Sequence, residues 1–174
     1  MIQLRNSLVR LLEFVLVVIV LMMTFSVLWG VFTRFVLGDP AAWTEEAAKY
    51  LLIWLSMLGT AVASARREHL GVDYFVNLLH PDAGRLMAVV VELVVAVFAA
   101  AAMIYGGWVL VSETLASGQV TPAMGIKMGH IYLAVPICGA FLVLFSLERV
   151  AELLSGEESV PEPPPEASAE ADAI

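Results

Sequence analysis

Charge is scarce along most of this chain: only 15% of its 174 residues are Asp, Glu, Lys or Arg, and four long stretches carry almost none. Stretches of that length and apolarity read as membrane-crossing helices. No carboxylate, Lys, Arg or His falls near the middle of any of them, where coupling sites of transporters usually sit, which argues against movement of ions or solutes by this chain alone. Cysteine is almost absent as well. The single Cys138 excludes an intramolecular disulfide and reads as a small packing residue inside the fourth stretch. Zinc-ligand spacing, a phosphate loop and a Ser/His/Asp set are all missing, so no enzyme chemistry is assigned. His69 and His80 lie at one side of the membrane and His130 at the other, so no pair shares a depth suited to haem or metal, and no cofactor is expected.

What the chain has in abundance is apolar length. With 60% hydrophobic residues and a mean hydropathy of +0.88, it reads as all-α, an integral membrane protein with four transmembrane helices near 11–37, 43–65, 86–112 and 128–154. Glu13 to Arg34, Glu92 to Glu113 and Lys127 to Glu148 each span about 31 Å of helix, close to the roughly 30 Å hydrocarbon slab. Lys49 to Arg66 gives only about 25 Å, so Lys49 must reach the interface or find a partner. The run from Phe14 to Phe32 is too long for a signal-peptide core and lacks a cleavage site, so the first helix is read as retained.

Arg5, Arg10, Arg66, Arg67, Arg85 and Arg149 gather on one side, which predicts that both termini face the cytoplasm. Trp29, Trp43 and Trp108, with Tyr105 and Tyr132, then fall towards the outer interface as an aromatic belt, while Arg66, Arg67 and His69 anchor the inner one. The net charge of −8 is concentrated at the C-terminus, because residues 148–174 hold eight acids against one Arg. Residues 1–154 therefore form the membrane domain. Residues 155–174, rich in Pro and acids, read as a disordered cytosolic tail, with a docking segment as the alternative. Such a chain has lipids as neighbours and offers nothing basic enough for nucleic acid.

The first connection is short, with Asp39 as the expected N-cap and Pro40 as the first residue of helix two. The second connection, 66–85, interleaves Leu70, Val72, Phe75, Leu78 and Leu79 with polar residues. It reads as a short amphipathic cytoplasmic segment ended by Pro81. Ser56, Thr60 and Ser64, with Gly59 and Ala63 beside them, form a small-residue stripe that lets another helix approach closely. Ala96, Ala99, Ala100, Ala102 and Gly106 offer the same on helix three. Pro136 is expected to bend helix four.

Arg34, Glu45, Glu46 and Lys49 converge at the outer end of helices one and two. One reading is a partly buried ionic network that joins the two helices or reaches a partner subunit. The other is a pair of solvated acids that complement a helix N-terminus. Glu92 is expected to pair with His69, Arg66 or Arg85, and Glu13 with Arg10.

Read together, Arg34-Phe35, Trp43-x-Glu45-Glu46, Trp54 with Gly59-Thr60-Ala61, Arg66 with His69-Leu70-Gly71-Val72-Asp73, Thr121-Pro122-Ala123-Met124 and Tyr132-x-x-x-Pro136 resemble one family. It is the small membrane subunit of tripartite ATP-independent periplasmic (TRAP) transporters, the DctQ-like family, and the resemblance covers roughly residues 8–150. Lys127 and Gly129-His130 depart from it, since members often carry proline and aromatic residues there. The resemblance implies a scaffold subunit in a bacterial inner membrane. Its partners would be a large elevator-type membrane subunit and a periplasmic solute-binding protein, in a sodium-coupled transporter of organic acids. Two alternatives stay open: a self-sufficient small multidrug exporter with Glu13 as its essential acid, and a structural subunit of another membrane complex.

Overall fold

The computed structural model describes residues 2–66 and 81–155. Within them lie four helices long and apolar enough to cross a membrane: Arg5–Leu37, Ala42–Ala65, Gly84–Ala116 and Met128–Ser155. We call these the first to fourth spans. The expected amphipathic segment falls largely on residues 67–80, with Arg67 and His69, and it lies outside the described residues, as do residues 156–174 of the tail.

The helices run beyond the apolar cores read from the sequence. The first starts at Ile2 and the third at Pro81, because polar first turns continue the helix into the interface and Pro81 is accepted at a first helical position. Helix two does not begin as expected. Its N-cap is Ala41 rather than Asp39, and Pro40 precedes the helix. Gly38, at φ 70°, stops the first helix in the left-handed conformation. The Ala41 N–H is then held by Thr33 Oγ1 at 3.4 Å, and the Thr44 hydroxyl donates back to the Ala41 carbonyl at 2.7 Å. Tying the loop to the first span delays the start of the second.

Two stretches are wound more widely than an α-helix, Thr33–Leu37 at the end of the first span and Ala99–Gly106 in the middle of the third. The fourth span is divided into Met128–Tyr132 and Ala134–Ser155. The break falls three residues before Pro136, whose missing N–H leaves the Tyr132 carbonyl without its helical donor. The helix is thus interrupted beside the residue expected to bend it.

Packing follows the order first, second, fourth, third. Among the described residues no Cα of the first span comes within 8 Å of the third or fourth, nor does one of the second reach the third. The closest backbone approaches therefore order the spans as a row, while side chains also join the first span to the fourth and bring the second, third and fourth together. Leu12 and Ile19 pack against Leu58, Val62, Ala65 and Phe145. Ala61, Ala99, Cys138 and Leu142 make a second cluster where the second, third and fourth spans meet. Cys138 is fully buried there, and its thiol donates to the Met57 carbonyl at 2.9 Å.

Close approach to the fourth span is made by glycine. A Cβ on Gly139 would lie 2.7 Å from Met103 Cβ, one on Gly107 3.0 Å from Pro136 Cδ, and one on Gly129 would overlap Leu115. The stripe of Ser56, Gly59 and Thr60 does not pack inside this chain. Ser56 and Thr60 are exposed and bond their own helix at Leu52 and Ser56 carbonyls, and a Cβ on Gly59 would meet nothing within 4 Å. Ala63 and Ser64 are half-buried. On the third span Ala96 and Ala99 are buried, whereas Ala100, Ala102 and Gly106 face outward.

Candidate functional site

Charged side chains among the described residues gather toward the two ends of the spans. At the arginine end the Arg66 guanidinium donates to Glu13, with Nε at 2.8 Å, so Glu13 bridges the first two spans and does not make the expected local pair with Arg10. An acid committed to Arg66 at the edge of a helix is poorly placed to serve as the central acid of an exporter. Arg5 reaches Glu152 at 3.3 Å, with Arg149 3.8 Å from the same carboxylate. Arg85 donates to the carbonyls of Leu153 at 2.6 Å and Leu154 at 3.1 Å, where the fourth helix ends and its dipole is negative. Glu92 lines a cavity of about 20 Å³ together with Arg5, Ser64, Ala65, Phe145 and Arg149. That cavity has room for one water. All four spans thus contribute a side chain to one small polar space, a convergence the sequence reading of Glu92 missed because it sought partners only in the neighbouring connection.

At the opposite, loop end, Arg34, Glu45 and Lys49 line an open groove of about 740 Å³ between the first and second spans. Its floor is Val27, Gly30, Val31 and Ala48. The spans come close here because Gly30 lies against the Thr44 hydroxyl, 2.7 Å from where a Cβ would be. No two of Arg34, Glu45, Glu46 and Lys49 approach within the 4.0 Å of an ion pair. The Arg34 guanidinium instead lies 6.0 Å over the ring of its neighbour Phe35. An internal network joining the two helices is therefore not formed; three of the four charges share a groove and are exposed.

Glu46 lies apart from this groove. Its carboxylate accepts from the N–H of Ala123 at 3.0 and 3.1 Å and from that of Met124 at 3.1 Å, in the connection between the third and fourth spans. The sequence contains a signal for that connection in Gly118 and Gly125, both at φ 66°, around Thr121-Pro122. Nothing in it points to an acid 77 residues away.

Trp29, Trp43 and Trp108 are all exposed, as side chains at a lipid interface must be. Trp29 stacks on Phe25 at 6.1 Å and meets Phe32 at a tilt at 5.7 Å. Chemically the loop end offers two exposed cations and an acid in an apolar groove, beside a turn held in shape by a carboxylate. Such features can bind and orient a partner.

Comparison with known proteins agrees with this architecture. Residues 23–156 match the family described as tripartite ATP-independent periplasmic transporters, DctQ component. The chain is 28% identical over 126 residues to the sialic acid TRAP transporter small permease protein SiaQ of Vibrio cholerae, covering 72% of this chain and 71% of that one. It is 25% identical over 118 residues to the ectoine TRAP transporter small permease protein TeaB of Halomonas elongata, covering 68% and 61%. Over 115 residues it is 30% identical to the sialic acid TRAP transporter permease protein SiaT of Haemophilus influenzae, covering 66% of this chain but only 18% of that much longer protein. This chain, a multi-pass membrane protein of four spans, belongs to the DctQ family of TRAP transporter components.

Proposed function

We propose that this chain is the non-conducting scaffold subunit of a sodium-coupled TRAP transporter for organic acids. In this reading it is held against a large membrane subunit that carries the moving substrate site and is served by a soluble solute-binding protein. The observation that carries the reading is the apolar middle of the four spans, which offers no carboxylate, Lys, Arg or His to a solute. The SiaT match supports the pairing, because a segment like this chain is there one part of a far longer permease. Where the two are separate chains, non-covalent contact must replace that continuity. Sialic acid and ectoine, the solutes in the relatives' names, both carry a carboxylate, which supports an acidic substrate class.

Two surfaces are assigned to the large subunit. The outward stripe of Ser56, Gly59 and Thr60, with Ala63 and Ser64 behind it, allows close helix approach in lipid. Arg34, Glu45 and Lys49 supply ionic contacts beside it. The arginine end faces the cytoplasm and the loop end the periplasm, where the binding protein arrives.

Reconstitution tests the whole reading. Liposomes holding this chain alone accumulate no solute under a sodium gradient, while those with both membrane subunits do so when the loaded binding protein is added. Uptake by this chain alone would sink it. Breaking a pair that the partner buries costs about 3–5 kcal/mol, against about 0–1 for an exposed one. Arg34→Ala and Glu45→Ala therefore lower recovery of the two-subunit complex, and Glu157→Ala in the tail does not. Equal recovery of all three would leave Arg34 and Glu45 as solvated helix ends.

A further inference from the structure

Glu92 is half-buried on the third span and makes no ion pair or hydrogen bond among the described residues. A carboxylate withdrawn from bulk solvent is costly unless something donates to it. The polar groups that share its cavity of about 20 Å³ come from the other three spans: Arg5 from the first, Ser64 from the second and Arg149 from the fourth. None of them touches it directly. The Ser64 hydroxyl is uncommitted as well. Ser56 and Thr60, two turns and one turn earlier, bond back to their own helix, whereas Ser64 makes no such bond. Ser146, one turn before Arg149 on the fourth span, is 1% exposed, and its hydroxyl has no partner among the described residues. Buried polar groups of native proteins nearly always have one.

The charges around the cavity decide what it takes. Arg5 and Arg149 lie 3.3 and 3.8 Å from the Glu152 carboxylate, so with Glu92 two guanidiniums stand among two carboxylates and the group is neutral as a whole. A cation would meet the arginines and an anion would meet Glu92. A neutral molecule that both donates and accepts suits the site. The volume exceeds the roughly 10–15 Å³ that one water needs and is too small for an organic solute. Arg5 is also held from a second side, by Nη2 on the Ala65 carbonyl at 3.4 Å, so its position is set by protein groups alone.

We propose that this cavity binds one structural water, which accepts from an arginine, donates to the Glu92 carboxylate and bonds the Ser64 hydroxyl, and that this water joins the third span to the first. No Cα of those two spans comes within 8 Å of the other, so the bridge links elements whose backbones do not meet. A water-bridged contact is nearly as favourable in enthalpy as a direct one. The inner end of the third span is thereby seated on the first two spans as well as on the fourth.

The test is X-ray radiolytic labelling of the full chain in nanodiscs, which marks side chains beside a bound water even where bulk water does not reach. Phe145 lines the cavity and is 5% exposed. Cys138 reacts more readily with hydroxyl radicals but is fully buried and does not line it. In the parent Phe145 is labelled and Cys138 is not. Ser64→Val, which removes a bonding partner and puts a methyl into the cavity wall, brings Phe145 down to the level of Cys138. It also lowers the thermal midpoint by about 2–4 °C, the scale of one or two lost hydrogen bonds in a chain of this length. Glu92→Leu does the same. A dry cavity behaves in the opposite sense, because filling it with an apolar group raises the midpoint. An unlabelled Phe145 in the parent, equal labelling of Phe145 and Cys138, or an unchanged or higher midpoint in Ser64→Val would each overturn the proposal. The first comparison is made on the parent chain, so it decides the question whether or not either variant folds.

Discussion

Gly139 and Gly59 look alike in sequence, each a glycine in an apolar helix, and differ in what surrounds them. The space beside Gly139 is closed by Met103 Cβ at 2.7 Å, Ile104 Cγ1 at 3.1 Å and the Ala99 carbonyl at 3.2 Å, groups at or near the backbone that cannot swing aside. Gly139→Val forces the third and fourth spans apart and costs about 1–3 kcal/mol. The check is a lower thermal midpoint for the purified chain in detergent. Gly59→Val leaves that midpoint unchanged, because nothing lies within 4 Å. If its stripe is the partner's seat, the same variant lowers recovery of the two-subunit complex. A run of small residues shows where a helix can approach, but not which helix does so. That is why the sequence marks the second span as a packing element while the chain's own tight contact is made by Gly139.

At the scale of elements, the four apolar helices were readable from charge spacing alone, since the hydrocarbon slab fixes their length. Their irregularities were readable only in part. Pro136 announces the break in the fourth span, but no proline marks the wide winding of Ala99–Gly106. Half of its residues are alanine, and the fourth span packs against that stretch at Gly139. Pro136→Ala restores a donor for the Tyr132 carbonyl and straightens the fourth span, read as a longer distance between spin labels at His130 and Leu154. The outer charge cluster was legible as a place but not as a set of partners. Three of its members line one groove, while Glu46 turns to a connection whose return to the second span depends on tertiary packing.

For the molecule as a whole, the arginine end carries the ion pairs found among the described residues and the middle carries the apolar contacts. Two of these pairs differ in cover: Arg5 and Glu152 are 24% and 21% exposed, Arg66 and Glu13 54% and 32%. Glu13→Gln therefore changes stability by less than about 1 kcal/mol. Glu152→Gln costs more, since it loosens Arg5 and Arg149 together where water screens less. Melting of both variants in the same detergent checks the order. Orientation is tested separately by reporter fusions at Ile174 and Ser117, which are expected on opposite sides of the membrane. Equal labelling of both from outside would overturn the cytoplasmic placement of the termini.

The order of the spans in the row has a consequence for how the chain is made. Synthesis delivers the first and second spans as neighbours, and they can pair as soon as both have left the ribosome and entered the bilayer. The third arrives next, and its closest backbone contacts, at Ala99 and Gly107, are with the fourth span, which is still being translated. Those tight contacts therefore form only once the fourth span has entered the bilayer beside it. A chain cut after the turn at 119–128 would keep the pairing of the first two spans and lack the contacts that seat the third.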